Sequence, residues 1–143
     1  MPVVESLSNV DFAGPEFLGL LREAVAVDDQ ALRATIATEL PVLAVIGIRE
    51  AGLVVAFAAF DSSRERLVLE YIAVEQHRRW SSYGRSLIQH IRQQHAAQEL
   101  YAETDDDAVE FYRRLGFSIS IAPTDPRWPE RQRYGCLLPP AVR

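Results

Sequence analysis

Residues 69–85 give the clearest indication of the fold: Leu69-Glu70-Tyr71-Ile72-Ala73-Val74, followed by Glu75-Gln76-His77-Arg78-Arg79-Trp80-Ser81-Ser82-Tyr83-Gly84-Arg85. Its first part continues an apolar run from Leu67 and predicts a strand over 67–74. Its second part leads into a helix over about 82–97, predicted by apolar residues spaced four apart: Tyr83, Leu87 and Ile91. The start of such a helix leaves backbone N–H groups free, and these can bind a phosphate. Local physics alone equally allows a helix that is merely capped by Ser81 or Ser82.

Strand patterns flank this stretch on both sides. Val42 to Ile48 and Leu53 to Phe60 are apolar runs, and short turns join them to each other and to the strand over 67–74. Short turns predict an antiparallel meander, and runs that are apolar on both faces predict helices on both sides of the sheet. After the helix, Leu100 to Thr104 reads as a strand that the crossover places parallel to 67–74. The fold class is therefore α/β (α+β), with a mixed sheet.

The remaining patterns complete one domain over residues 1–143. They predict a helix from Gly14-Pro15 to Val27, a helix capped by Asp28 and ended by Pro41, a helix from Asp105 to Leu115-Gly116, and strands over 2–7, 117–121 and 133–138.

Composition excludes several classes of protein. The chain has 143 residues, a net charge of −5 and no lysine, whereas a nucleic-acid-binding protein usually carries a basic excess. No stretch approaches the roughly 20 apolar residues of a membrane span, so we expect no membrane partner. Cys136 is the only cysteine, which rules out an intrachain disulfide and favours the cytoplasm.

Two blocks resemble a known family. Arg79-Trp80-Ser81-Ser82-Tyr83-Gly84 resembles the acetyl-CoA signature of the GNAT N-acetyltransferases, Arg/Gln-x-x-Gly-x-Gly/Ala, with Ser82 where glycine is usual. The block 105–117 resembles the family pattern Asn-x-x-Ala-x-x-Phe-Tyr-x-x-x-Gly-Phe, with Asp105 at the Asn position. The order of elements also fits a single GNAT-like domain.

The resemblance implies a binding site for the cosubstrate acetyl-CoA. In this fold the parallel strand pair splays apart, and the pantetheine arm lies in the gap as an extra strand would. By position, the pantetheine contacts are Ile72, Ala73 and Val74, and the Val74 amide is a candidate oxyanion donor. The pyrophosphate would be held across Arg79, Trp80, Ser81, Ser82, Tyr83, Gly84 and Arg85, and Asp105 is a further coenzyme-site residue.

The resemblance also implies two catalytic residues. Tyr112 matches the tyrosine that protonates the leaving thiolate, although its helical pattern by itself indicates a core tyrosine. Glu70 interrupts an apolar strand and is the candidate base for the amine; a salt bridge to an arginine or a solvent-exposed strand face explains it equally well. Tyr71 and Trp128 are candidates for the acceptor pocket.

Three functions remain open from the sequence. The first is an enzyme that transfers an acetyl group from acetyl-CoA to the amine of a small molecule or protein; the second is a non-catalytic acyl-CoA-binding sensor or partner module. The third is a chain without a coenzyme. No metal site is expected, since His90 and His95 lie five apart on different helix faces and 105–107 lacks the spacing of a calcium loop. A homodimer formed through strand edges is compatible with the sequence.

Overall fold

The computed structural model describes residues 2–25 and 28–141, with Trp80 described by its backbone only. The N-terminal half contains β1 (Val4–Ser6), α1 (Asn9–Phe12), α2 (Pro15–Val25), α3 (Asp29–Ala34), β2 (Ala44–Glu50), β3 (Leu53–Asp61) and β4 (Leu67–Val74). The C-terminal half contains α4 (Tyr83–Gln94), β5 (Leu100–Asp105), α5 (Val109–Arg114), β6 (Ser118–Ala122) and β7 (Arg133–Leu138). Across these ranges, no helix is both long enough and apolar enough to cross a lipid bilayer.

The seven strands form one sheet in the order β1-β2-β3-β4-β5-β7-β6. Every neighbouring pair is antiparallel except β4 and β5, which run parallel. The parallel pair is joined through α4, since a parallel connection needs a crossover of this kind. The predicted mixed sheet, with an antiparallel N-terminal half and a parallel pair, is confirmed.

Helices cover both faces of the sheet, as predicted. On one face α4 buries Leu87 and Ile91 in a cluster that includes Leu67 and Leu69 of β4. On the other face the N-terminal helices form a second cluster, in which the rings of Phe17 and Phe57 lie 4.8 Å apart. The core therefore consists of two apolar layers, and the sheet separates them.

The helix predicted from Asp28 changes type along its length. Its start is confirmed, because the Asp28 carboxylate accepts a hydrogen bond from the Ala31 amide at 2.9 Å. The α-helix ends at Ala34, however, and is followed by a π-helical turn over Thr35–Glu39 and a 3₁₀ turn over Leu40–Val42. The predicted end at Pro41 is therefore wrong: the α-helix stops seven residues earlier, and the helical turns continue through Pro41 to Val42, since a proline near the start of a short turn loses no hydrogen bond.

The helix predicted to open at Asp105 begins four residues later. Asp105 ends β5, and its carboxylate accepts a hydrogen bond from the Asp107 amide at 3.0 Å. Asp105 and Asp107 thus belong to an Asx turn, and the helix begins after this turn, at Val109. The predicted stop is confirmed, since Gly116 has a φ of +94° just after the helix.

Candidate functional site

Strands β4 and β5 separate halfway along their length. Their register pairs Leu67 with Leu100 and ends at Leu69 with Ala102. Beyond that point the second half of β4 has no partner strand on this side, among the residues that the structure describes. The predicted splay of the parallel pair is confirmed, and it leaves the backbone of residues 70–74 with a free edge.

A β-bulge in β4 determines which amides face this gap. Tyr71 pairs with Ala59 and Leu69 pairs with Phe60, so Glu70 is the extra residue. Before the bulge, the odd-numbered Leu67 donates its amide toward β5, to the carbonyl of Glu99 at 3.0 Å. After the bulge, the odd-numbered Glu75 donates toward β3, to the carbonyl of Val55 at 2.7 Å.

Because amide direction alternates along a strand, the bulge reverses which residues face the gap. The amides of Ile72 and Val74 therefore point away from β3 and toward the free edge. The side chains reverse in the same way: Leu69 lies in the cluster under α4, whereas Tyr71 lies in the cluster under the N-terminal helices. A bulge at Glu70 thus presents two strand amides to the gap.

The turn after β4 is a 3₁₀ segment over Gln76–Ser81 that ends at Ser82. Ser82 adopts the left-handed conformation, with φ +68° and ψ +18°, and its side chain makes no capping hydrogen bond to α4. The alternative of a helix capped by the Ser82 hydroxyl is therefore wrong. Ser81 instead donates its hydroxyl to the carbonyl of Arg78, which closes the turn. The first amides of α4 are left without a side-chain cap.

Arginine and tyrosine side chains secure the same turn. Arg79 donates to Glu23 of α2 at 2.8 Å and to the carbonyl of Val74 at 3.2 Å. Tyr83 donates its hydroxyl to Glu50, and this hydrogen bond is the main reason why the pKa of that carboxyl is lowered. The Arg85 side chain is exposed.

A cleft follows the free edge of β4. We call it the β4–β5 cleft; it has a volume of 360 Å³ and is lined by Glu23, Ala24, Ile72, Ala73, Val74, Arg79, Gly84, Asp107, Ala108, Phe111 and Tyr112. It brings together six of the residues selected from the sequence. Of the others, Ser81, Ser82, Tyr83 and Arg85 lie in or beside the adjoining turn and do not line the cleft, and the side chain of Trp80 lies outside the described part.

A second, more polar cavity adjoins the cleft. We call it the polar cavity; it has a volume of 430 Å³, and its lining includes Glu70, Tyr71, Glu103, Thr104, Asp105, Tyr112, Arg127, Trp128, Arg131 and Arg133. Both candidates for an acceptor pocket, Tyr71 and Trp128, therefore lie in it. Asp105 also lines this cavity and not the cleft, and it pairs with Arg131 at 3.0 Å.

Tyr112 lies in the wall that the two cavities share. Its ring is held edge-on between Phe111 and Phe117, with centroid distances of 5.1 and 5.2 Å. Burial raises the pKa of its phenol, so the hydroxyl keeps its proton at neutral pH. Tyr112 is thus a core residue whose protonated phenol lies at the junction of the two cavities, and the core interpretation is compatible with the predicted role as an acid.

Glu70 projects from the bulge into the polar cavity. None of the ion pairs within residues 2–25 and 28–141 includes Glu70, so the salt-bridge alternative is not supported. Its side chain is exposed, yet the cavity walls remove part of its hydration. This desolvation raises the pKa of the carboxyl, and the nearby charges of Glu39 and Asp61 raise it further.

Two charged residues at or beside the polar cavity, Glu39 and Arg133, were not selected from the sequence. Glu39, in the π-helical turn, accepts hydrogen bonds from the Tyr71 hydroxyl at 2.9 Å and from Thr35 at 3.0 Å. Desolvation, together with the hydrogen bond to Glu39, raises the pKa of Tyr71 to about 12. Arg133 lines the polar cavity although it begins a strand. No local pattern distinguishes either residue from an ordinary surface charge.

No three His, Cys, Asp or Glu side chains of the described ranges are grouped as metal ligands would be.

Comparisons with known proteins agree with this geometry. The chain resembles the solved structure of the ribosomal-protein-S18-alanine N-acetyltransferase from Escherichia coli, with 19% identity, a TM-score of 0.78 and coverage of 100% of this chain and 96% of that one. It also resembles a Corynebacterium glutamicum structure described as histone acetyltransferase HPA2 and related acetyltransferase (20% identity, TM-score 0.75, coverage 99% and 98%). An aminoglycoside 6'-N-acetyltransferase complexed with coenzyme A is similar too (15% identity, TM-score 0.76, coverage 95% and 96%).

The structural similarity to these proteins establishes the shared fold, and the match to a sequence model of a family establishes the family. The comparison with curated protein sequences gives no significant match. A family model described as an acetyltransferase (GNAT) domain matches residues 42–119, which is more than half of the chain. The matched range contains β4, its bulge, the turn before α4 and Tyr112. The chain therefore belongs to the GNAT acetyltransferase family.

Proposed function

We propose that the protein transfers an acetyl group from acetyl-CoA to a primary amine by direct attack, without a covalent enzyme intermediate. The observation that carries the proposal is the position of Tyr112 between the β4–β5 cleft and the polar cavity. A thioester held in the cleft would meet an amine held in the polar cavity at this residue. The two reactants would thereby be brought together in one geometry.

The free edge of β4 supports binding of the coenzyme. Pantetheine amides can pair with the strand backbone at Ile72, Ala73 and Val74, as an added strand does. The turn from Arg79 to Arg85 would hold the pyrophosphate through the uncapped amides of α4 and the positive end of the helix dipole. Ser82 adopts the left-handed backbone conformation that glycine adopts most easily. The turn therefore keeps this conformation although serine stands where the family signature has glycine.

The catalytic steps use three groups of this chain. Glu70 accepts a proton from the substrate ammonium, directly or through a water molecule, and the free amine nitrogen attacks the thioester carbonyl carbon. The Val74 amide donates to the oxyanion that forms with the new C–N bond. As the C–S bond breaks, Tyr112 donates its phenolic proton to the leaving thiolate, and the second proton of the attacking nitrogen passes through water to restore the phenol.

Titration of acetyl-CoA into the protein by calorimetry tests the coenzyme site. We expect micromolar binding, about −8 kcal/mol, and loss of binding in the double variant Arg79→Ala, Ser82→Asp. The matched control makes the same changes in the β3–β4 turn, Arg64→Ala with Ser62→Asp, where both side chains are exposed. No binding to the unmodified protein would refute the proposal.

Turnover then separates the enzyme from its alternative, a non-catalytic acyl-CoA-binding module. Release of coenzyme A from acetyl-CoA with a panel of primary amines supports the enzyme, provided that Glu70→Gln and Tyr112→Phe each reduce it. Binding of acetyl-CoA without turnover of any amine would favour the module, because both hypotheses predict a coenzyme site but only the enzyme predicts turnover.

A further inference from the structure

Arg133 is a buried cation that forms no ion pair with any residue of the described ranges. It retains 7% of its accessible surface, and its Nε has no hydrogen-bond partner among the described residues. None of the ion pairs in the described ranges includes it. A buried donor without a partner is costly to the fold, and the Arg133 side chain borders the polar cavity, so its guanidinium is placed to bind an anion held there.

The neighbouring charges do not supply that anion. Asp105 lies opposite Arg133 in the β5–β7 register, but its carboxylate already binds Arg131 and the Asp107 amide. The pKa of Asp125 is lowered mainly by its hydrogen bonds from Arg127, at 3.1 and 2.7 Å, and the Arg133 charge helps to lower it, but that carboxylate forms no ion pair with Arg133 within the described ranges. The described neighbour of the Arg133 guanidinium is instead the ring of Trp128, whose centroid lies 5.2 Å away.

Arg133 and Glu70 line the same cavity and carry opposite charges. Neither has an ion-pair partner within the described part of the chain. The volume of 430 Å³ is in the range of cavities that hold small molecules. A ligand that satisfies both residues must carry both an ammonium group and an anionic group and must fit within this cavity.

We propose that the acceptor is a small aminocarboxylate, such as a free amino acid, whose carboxylate binds Arg133 while its amine faces Glu70. Guanidinium and carboxylate groups match in geometry and form strong paired hydrogen bonds. Arg133 is therefore a binding residue that determines substrate class, and polyamines and aminoglycosides, which lack a carboxylate, are excluded. This inference rests on the proposed acetyl transfer for the role of Glu70.

Matched acceptors test the inference on the unmodified protein. Each L-amino acid is compared with its carboxamide, which keeps the amine and side chain but removes the negative charge, and release of coenzyme A is measured. We expect kcat/KM for the favoured amino acid to exceed that for its amide by about 30-fold, the value typical of hydrogen bonds to a charged group. Equal rates with both, or acetylation of the amides only, would overturn the inference.

The variant Arg133→Gln should remove this preference. Its KM for the amino acid should rise about 30-fold, and the ratio of kcat/KM for the amino acid to kcat/KM for the carboxamide should fall toward one. Arg133→Lys keeps the charge and should recover part of the preference, which a purely structural role of Arg133 would not explain. An unchanged amino acid KM in a folded Arg133→Gln protein would contradict the assignment.

A binding experiment keeps this inference separate from the proposed function. Saturation-transfer NMR compares N-acetyl amino acids with their N-acetyl carboxamides, in the absence of coenzyme. Selective binding of the carboxylates, lost in Arg133→Gln, supports the site even if acetyl-CoA does not bind. Binding of acetyl-CoA with no selectivity between the two ligand sets refutes the site and leaves the proposed function standing.

Discussion

Gly84 lies directly against the ring of Phe111, so close that a Cβ on Gly84 would be 2.7 Å from Cε1 of the phenylalanine. This contact brings the start of α4 against α5, and both residues line the β4–β5 cleft. The last glycine of the signature thus has a packing role in addition to any role at the phosphate. A methyl group there would force the two helices apart.

We therefore expect Gly84→Ala to lower the free energy of unfolding by about 1–3 kcal/mol, the usual cost of overpacking. Gly19→Ala is the matched control, since a Cβ on this exposed helical glycine meets nothing within 4 Å. The control should gain up to about 1 kcal/mol from helix propensity. Urea unfolding of both variants is the measurement, and equal stability changes would contradict the contact.

The left-handed backbone of Ser82 predicts the effect of restoring glycine. Ser82→Gly should stabilise the protein by about 0.5–1 kcal/mol, because glycine adopts positive φ without steric cost. Ala51, at φ +51° in the β2–β3 turn, provides the control substitution Ala51→Gly. Both variants should rise in stability, and acetyl-CoA affinity should remain within a few-fold. A loss of stability in Ser82→Gly would show that its hydroxyl is needed.

Glu70 should give the reaction an acidic limb in its pH profile. Because desolvation raises the pKa of Glu70, kcat/KM should fall as the pH drops through a value above that of an ordinary glutamate. Glu70→Gln should abolish that limb and reduce turnover by about 10²–10⁴-fold. The control Glu65→Gln, at an exposed position, should keep both the acidic limb and the turnover of the unmodified protein. If the pH profile of Glu70→Gln still shows the acidic limb of the unmodified protein, a group other than Glu70 is the base.

The same pKa shift predicts the sign of a stability change. A carboxyl whose pKa is raised on folding destabilises the native state once it is ionised, so at pH 7 the charge of Glu70 costs stability. Glu70→Gln should therefore be at least as stable as the unmodified protein while it is less active. Thermal unfolding at pH 7 checks this, and a clear loss of stability would indicate a structural contact for Glu70.

Tyr112 should show a catalytic effect that is separate from packing. Tyr112→Phe keeps the ring between Phe111 and Phe117, so stability and acetyl-CoA affinity should change little. Its kcat should fall by about 10²-fold, the lower end for a lost general acid. Acyl thioesters with a more acidic leaving thiol need less protonation, so the deficit should shrink with them. A constant deficit would argue against a proton-donor role.

Local patterns predicted most of the framework. The bounds of β4 and of β7 (Arg133–Leu138) were predicted to the residue, since turn or proline-containing segments flank both strands. The parallel crossover and the helices on both faces followed from the same runs. The π-helical turn that includes Glu39 was not predicted from the sequence, because the residues on either side of it have the same helical spacing.

Periodicity predicted the succession of strands and helices along the chain, and the two blocks that resemble the GNAT family predicted the splayed pair and the candidates Glu70 and Tyr112. The bulge at Glu70 and the burial of Arg133 without an ion pair in the described ranges are visible only in the folded protein. A strand that is apolar on both faces carries no alternation in which an extra residue could be detected. Burial of a charge depends on side chains distant in sequence, and no local pattern records them.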